Sequence, residues 1–273
     1  MADAVASDLP LDLERTIFEL AAYSRPVCIP NLMRVAWRVK HWVEPALYRT
    51  LLINVAPRFY PIPPCNTTII SRVAGTPPMG HVVRNVMFTQ SHEDDLDILV
   101  HACPHIENLY IPVHRAWLAK RFPLGFAALP LTHLYCDGKF LHKVLEQGGA
   151  FPRLTHLHLF TAPAAARHSV RTALARWLII AKLPELTHLA VRPTSRYDLE
   201  PISSLLPACM SLRALVLLSC PMHVKPRELD PLANDPRFVL MFETTDYEED
   251  WQRVDVFIAE RRSGEIDHDA CFS

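Results

Sequence analysis

Apolar and polar positions alternate in five short segments of the chain that fit the pattern L-x-x-L-x-L, with Ile, Val or Cys allowed for Leu. They are residues 106–111, 131–136, 154–159, 186–191 and 212–217. The last two apolar positions of each segment flank a single residue, as in a strand that buries one face. A weaker unit covers residues 83–88, an apolar strand is expected near residue 53, and another near residues 238–242. The pattern predicts a series of short, equivalent strands.

The spacing of these strands indicates a repeat. The second apolar position falls at residues 109, 134, 157, 189 and 215, in steps of 25, 23, 32 and 26. Leucine-rich repeats run about 20–29 residues, with one short strand and a helix in each unit. The longest step predicts an insertion near residues 161–167, and apolar residues at helical spacing predict helices over 94–103, 170–183 and 199–210. We therefore expect an α/β solenoid, an irregular leucine-rich-repeat horseshoe with about six to eight parallel strands and outer helices.

The alternative is an ordinary α/β fold, whose parallel strands would be apolar throughout and whose segments would not look alike. The tetrad Leu-Thr-His-Leu, which three of the segments share, favours the solenoid.

The two ends of the chain differ from its middle. At the N-terminus, Leu13, Ile17 and Leu20 lie on one face of a helix that begins near Pro10, and a second helix is predicted over residues 29–43. Near the C-terminus, apolar residues at helical spacing predict a helix that caps the open end of the solenoid; they are Trp251, Val254, Phe257 and Ile258. The expected division is a helical module over residues 1–50, the repeats over 51–245, and a capping helix and tail over 246–273.

The N-terminal module resembles an F-box, which begins with L-P-x-E-[LI]-x-x-x-I-F and continues to a V-C-K-x-[WF] segment and a Leu-Tyr-Arg exit. The matching positions are Leu9, Pro10, Leu13, Ile17 and Phe18, then Val35 to Lys40 with Trp42, and then Pro45, Leu47, Tyr48 and Arg49. Asp12 stands where Glu is usual, and Ala36-Trp37 where Cys-Lys is usual. The whole arrangement is similar to the F-box-like leucine-rich-repeat proteins of mushroom-forming fungi.

That resemblance implies a substrate receptor of a cullin-based ubiquitin ligase, which binds a Skp-type adaptor through the F-box and a client protein through the repeats. The residues implied for adaptor binding are Leu9, Pro10, Leu13, Ile17, Phe18 and Trp37. Two alternatives stay open. Residues 9–50 could serve only as a cap on the first repeat, in an interaction protein with no ubiquitin link. The remote alternative is an enzyme or metal-binding protein.

The polar positions of the strands are expected to face the concave side and to bind a protein partner. They are Asn108, Tyr110, His133, Tyr135, His156, His158 and His188. Because neighbouring strands lie about 4.8 Å apart, His133, His156 and His188 should form a ladder. Such a ladder could bind a metal ion or respond to pH. No carboxylate or cysteine on these strands completes a tetrahedral set, so a partner-binding face is favoured.

The composition of the chain argues against several classes of function. With 21% charged residues and a net charge of −1, the chain has no basic footprint for nucleic acid. Its seven scattered cysteines include no C-x-x-C pair, which favours reduced thiols in an intracellular protein, cytoplasmic or nuclear. No signal peptide, membrane span or common catalytic motif is recognisable. We expect a non-catalytic protein with no cofactor and no metal.

Overall fold

The computed structural model describes residues 9–54, 65–88, 93–111, 125–163, 170–193, 199–219, 232, 235–242 and 247–267. These residues form an α/β fold around one open, all-parallel sheet of eight strands, which pair in the order of the sequence. The strands are β1 (Thr50–Ile53), β2 (Asn85–Phe88), β3 (Asn108–Ile111), β4 (His133–Cys136), β5 (His156–Leu159), β6 (His188–Val191), β7 (Ala214–Ser219) and β8 (Phe238–Phe242). Every strand predicted from the alternating pattern is present.

The register of the sheet aligns the repeated segments position by position. Leu109 pairs with Leu134, and the row continues through Leu157 and Leu189 to Leu215. All five of these side chains are buried. The predicted equivalence of the segments is therefore confirmed, because equal sequence positions occupy equal places on the sheet.

Ten helices of the described part precede the C-terminal one. They are α1 (Leu11–Ser24), α2 (Ile29–Leu32), α3 (Trp37–Val43), α4 (Thr68–Ala74), α5 (Pro77–Val82), α6 (Glu93–Ala102), α7 (Gly138–Glu146), α8 (Val170–Ile180), α9 (Leu199–Ser203) and α10 (Leu205–Ala208). Apolar residues of α4 and α6 to α10 pack with the leucine rows in one continuous core, of which Phe140 and Trp177 are fully buried members. The outer helices therefore cover a single face of the sheet.

Two predicted helices are interrupted. The one expected over residues 29–43 is divided into α2 and α3, since Ala36 is extended, at φ −158° and ψ 158°. The one expected over residues 199–210 is divided into α9 and α10. Pro207 has no N–H to donate to the carbonyl of Ser203, and the hydroxyls of Ser203 and Ser204 both bond to the carbonyl of Glu200. Most of the expected insertion, residues 164–167, lies outside the described residues.

The C-terminal helix, α11 (Tyr247–Ser263), packs on the last three strands of the sheet, and its Arg261 side chain donates to the carbonyl of Phe238 on the edge strand β8. It lies across the face opposite the outer helices, where its apolar residues form a second core with β6, β7 and β8. The members of this core are Trp251, Val254, Phe257 and Ile258 of the helix with Ala190, Ala214, Val216, Leu218, Val239 and Met241 of the strands. The physical reason is that these strands are apolar on both faces, so the second face also needs a cover.

The N-terminal helices have a small core of their own. Ala22 of α1, Ile29 of α2, and Val39 and Val43 of α3 are buried together, apart from the main core. A 3-10 turn over Glu44–Tyr48 then leads directly into β1, which joins this module to the edge of the sheet.

The leucine rows generate a prediction about stability. Replacing the fully buried Leu157 with Ala should lower the free energy of unfolding by about 3 kcal/mol, because it leaves a cavity between β5 and the outer helices. Leu178→Ala is the matched control, since that side chain is 36% exposed on α8, and should cost less than about 1 kcal/mol. Urea denaturation of both variants measures the difference; equal losses would contradict this packing.

Candidate functional site

Helix α1 presents an apolar stripe to solvent. Leu13, Ile17 and Leu20 stand on one face at successive turns, and their exposed fractions are 53%, 55% and 65%. The core of the module is instead contacted by the opposite side of α1, through Phe18 and Ala22. The stripe is thus free of the intramolecular packing that usually covers the apolar face of a helix.

Two further apolar residues of the module are also exposed. Leu9 is 48% exposed and Trp37, at the start of α3, is 70% exposed. We call Leu9, Leu13, Ile17, Leu20 and Trp37 the N-terminal apolar surface. Of the six residues implied for adaptor binding, five are exposed, namely Leu9, Pro10, Leu13, Ile17 and Trp37, and Phe18 is half-buried.

Charged side chains fix the geometry around this surface. Arg38 of α3 forms an ion pair with Glu14 of α1, with 2.8 Å between Nη2 and Oε1. The ammonium of Lys40 lies 4.9 Å from the centre of the Trp37 ring, and His41 meets the same ring edge-on. The two helices therefore hold their apolar residues within a polar rim, the usual composition of a protein-binding surface.

The second candidate surface is the sheet face opposite the outer helices, which we call the ladder face. His133, His156 and His188 occupy equivalent positions on β4, β5 and β6. Their rings stack with centroids 4.2 Å apart and interplanar angles of 11° and 5°. The structure thus contains the histidine ladder that the sequence predicts.

A threonine precedes each histidine and connects the strands. The hydroxyls of Thr132, Thr155 and Thr187 donate to carbonyl oxygens of the preceding repeat, at 3.2, 3.0 and 3.2 Å. Each threonine oxygen also lies 2.8–3.0 Å from Nδ1 of the histidine that follows it. Each threonine oxygen therefore bridges a backbone carbonyl of the neighbouring strand and a ladder histidine. Sequence reasoning missed this role of threonine, although the shared Leu-Thr-His-Leu tetrad signalled it.

His188 differs from its two neighbours because both of its ring nitrogens face oxygen acceptors. Nδ1 faces Thr187, and Nε2 lies 2.9 Å from Oδ1 of Asp255 on α11. The Nε2 contact with the Asp255 carboxylate ties this end of the ladder to α11.

The pKa values of His133, His156 and His158 are lowered, which favours the neutral form of each ring. Burial, and then the charge of His188, lowers the pKa of His133 to about 4. Burial is also the main reason that the pKa of His156 is lowered to about 3, with smaller contributions from the charges of His133 and His188. Burial and then Arg192 lower the pKa of His158 to about 3.

Helix α11 covers part of the ladder face. The Trp251 ring lies edge-on to His156 and His188 at 5.3 and 5.7 Å, and its Nε1 donates to the Tyr135 hydroxyl at 3.2 Å. Tyr135, His158 and His188 are consequently buried, with 9%, 4% and 6% exposed. These three side chains, expected to contact a partner, are packed inside the protein. Asn108, Tyr110, His133 and His156 remain partly exposed.

The ladder is poorly arranged for a metal ion. The lone pairs of an imidazole lie in the ring plane, and nearly parallel stacked planes cannot direct three of them at one point. Nδ1 of each ladder histidine is also committed to a threonine. Within the described ranges, no three His, Cys, Asp or Glu side chains are grouped so that they could hold a metal ion.

The described cysteines are all unbridged, and none is fully exposed. Cys103, Cys136 and Cys209 are buried and unbridged, and Cys28 and Cys65 are half-buried. Burial raises the pKa of the Cys103 thiol to about 12, and it also raises the pKa values of the Cys136 and Cys65 thiols. Cys220 and Cys271 lie outside the described residues.

Comparison of the chain with models of known protein families, and with curated proteins, gives no match. In the part of the chain that the structure describes, no helix is both long enough and apolar enough to cross a membrane.

The ladder predicts a pH dependence of stability. Unfolded histidine binds a proton near pH 6.5, whereas folded His133 and His156 stay neutral until about pH 4 and 3. The unfolded state thus binds more protons over this window, and stability is lost as the pH falls through it. From pH 7 to pH 5 the free energy of unfolding should fall by about 2 kcal/mol for each of the two histidines, and His158 should add to the fall.

The double variant His133→Asn, His156→Asn should reduce this dependence without abolishing it, since His158 remains, as measured by urea denaturation at a series of pH values. His101→Asn, at an exposed position on α6, controls for the loss of a histidine away from the sheet. A free energy of unfolding that stayed constant or rose between pH 7 and pH 5 would contradict the assignment of neutral ladder histidines.

Proposed function

We propose that this chain is a non-catalytic protein-interaction scaffold, an F-box-like substrate receptor of a cullin-based ubiquitin ligase. Residues 9–50 bind a Skp-type adaptor through the N-terminal apolar surface, and the repeats hold a client protein. The observation that carries this proposal is the exposure of Leu13, Ile17, Leu20 and Trp37 on a module that already has its own core.

The exposure of the apolar stripe favours adaptor binding over a role as a cap on the first strand. A helical cap would bury its apolar face against the first strand, and the patch would disappear. Here the module joins β1 through the turn over Glu44–Tyr48, and the apolar stripe of α1 stays exposed. Contiguous apolar patches on proteins mark surfaces that bind another protein or a membrane. The charged rim formed by Glu14, Arg38 and Lys40 fits a protein partner.

The exposed tryptophan is the expected centre of the contact. Trp37 is the most exposed large residue of this surface and is held by Lys40 and His41. Tryptophan is enriched among the residues that dominate binding energy, and a fixed ring loses little entropy when a partner covers it. Its position, where most F-boxes have a different residue, would adjust the fit to the adaptor.

The sheet supports the second half of the proposal. Eight parallel strands follow one another in sequence order, with the repeated leucines in register. That arrangement fits a leucine-rich-repeat horseshoe with helices on the convex side and client contacts on the concave side. The client contacts lie on the part of the ladder face that α11 leaves accessible, around Asn85, Asn108 and Tyr110.

Binding to a purified Skp-type adaptor tests the proposal. The intact chain should bind with a dissociation constant of about 1 µM or tighter in isothermal titration. The double variant Leu13→Glu, Ile17→Glu should weaken binding more than about tenfold, because it places charges in an apolar contact while leaving the module core intact. Met210→Glu is the matched control, since Met210 is 86% exposed on a different part of the chain.

Circular dichroism of the variants confirms that each keeps its secondary structure. If the intact chain does not bind the adaptor at micromolar concentration, the ligase role must be abandoned. An interaction protein with no ubiquitin link would then be the remaining assignment for the scaffold.

A further inference from the structure

A cavity of about 590 Å³ lies where the N-terminal module meets the first strands of the sheet. Its walls come from the end of α1, the segment from Ala46 to Leu51, and residues Cys65, Ile69 and Asn85 of the sheet side. Sites for small molecules have volumes of roughly 300–1,000 Å³. This cavity is therefore large enough for a ligand, and it is separate from both the N-terminal apolar surface and the histidine ladder.

The inner wall of the cavity is apolar. Ala22, Ile29 and Leu51 line it and are almost completely buried, and Val27 and Leu47 widen the apolar area. Such a wall favours the hydrocarbon part of a ligand over water, at about 25 cal/mol for each Å² that the ligand buries.

One cation lines this cavity. The guanidinium of Arg49 lies 5.1 Å from the centre of the Tyr23 ring, which also lines it. No aspartate or glutamate is among the described residues of the wall. Arg49 also makes no ion pair with any other residue that the structure describes. The local charge is therefore positive and uncompensated, and it favours an anionic group on the ligand.

A hydrogen-bond donor stands next to this cation. Asn85 donates to the Thr50 hydroxyl oxygen at 3.0 Å and accepts from Asn108 at 2.7 Å, which fixes the Asn85 amide. The hydroxyl hydrogen of Thr50 has no acceptor among the described residues. Thr50 can thus donate to an oxygen that also pairs with Arg49, its neighbour in the chain.

We propose that this cavity binds a small amphipathic molecule with an apolar body and one anionic oxygen head group, such as a medium-chain carboxylate. Arg49 pairs with the head group, Thr50 donates a hydrogen bond to it, and the apolar wall receives the body. The ligand contacts both α1 and β1, so its binding fastens the N-terminal module to the sheet. This inference does not depend on the proposed role in ubiquitin ligation.

Three probes with the same eight-carbon chain test the inference: octanoate, octanol and octylammonium. Titrated into the full chain and followed by protein NMR shifts, octanoate should bind with a dissociation constant below about 1 mM, at least fivefold tighter than octylammonium. Arg49→Gln should weaken octanoate binding at least fivefold and leave octanol binding unchanged. Thr50→Val should weaken octanoate binding by a smaller factor.

Arg25→Gln is the matched control, because Arg25 lies in the same module but does not line the cavity. The Arg49 side chain makes none of the backbone hydrogen bonds that join residue 49 to Arg84 and Asn85, so Arg49→Gln should keep the fold. Equal affinity for octanoate and octylammonium, or an unchanged octanoate affinity in Arg49→Gln, would overturn the anionic site. Absence of octanoate binding up to 5 mM would overturn the ligand site altogether.

Alkylation of Cys65 gives a second, independent measurement, because its thiol lines the cavity. Burial raises the pKa of this thiol, so N-ethylmaleimide should modify it slowly. Saturating octanoate should slow the modification further, at least threefold in the intact chain and much less in Arg49→Gln. Cys28, which does not line the cavity, is the internal reference in the mass spectra. Unchanged modification of Cys65 under saturating octanoate would contradict occupancy of the cavity.

Discussion

The sheet has two faces, and the outer helices can cover only one of them. That constraint governs the rest of the structure. On the covered face, the leucine rows merge into one core with α4 and α6 to α10. On the other face, β6 to β8 carry apolar residues such as Ala190, Val216 and Met241, whereas β2 to β5 carry Asn, Tyr and His. Helix α11 packs on the apolar part, because this position buries apolar area of both the helix and the strands. The polar part is left partly accessible.

The histidine ladder lies at the boundary between these two parts of the face. Its hydrogen bonds provide polar partners for imidazole rings that are largely buried. A buried imidazole needs partners for its nitrogens, and the preceding threonine supplies one to each ring while also bonding to the neighbouring strand. The stacked rings then offer a flat surface on which Trp251 packs. Asp255 satisfies the last ring, His188, from the helix side. The threonine of the Leu-Thr-His-Leu tetrad thus joins neighbouring strands, and the histidine provides a surface on which α11 packs.

Much of the fold was predictable, because strand periodicity and the leucine repeat are local signals that survive in every unit. The division of the predicted helices depends on details such as the missing N–H of Pro207, which a count of apolar residues does not weigh. The position of α11 depends on tertiary packing and could not be predicted from local periodicity. Apolar residues at outward strand positions nevertheless indicated that the second face is covered, as at Ala190, Ala214 and Val216. For α1, the sequence identified an apolar stripe but could not decide whether Ile17 or Ala22 would face the core. Only the packing of α2 and α3 against Ala22 decides that.

The energetics of α11 determine where a client can bind. Trp251, Val254, Phe257 and Ile258 are all nearly buried, and covering each such side chain contributes about 1.5–3 kcal/mol. Displacing the helix would therefore cost on the order of 6–12 kcal/mol before the hydrogen bond between Asp255 and His188 is considered. A client that displaced α11 would have to offset this cost in addition to the binding free energy of about 8 kcal/mol that a micromolar complex requires. The client site of the proposed receptor must accordingly lie beside the helix, on the accessible strands β2 to β4, with Tyr110 as the aromatic residue best placed to contact it.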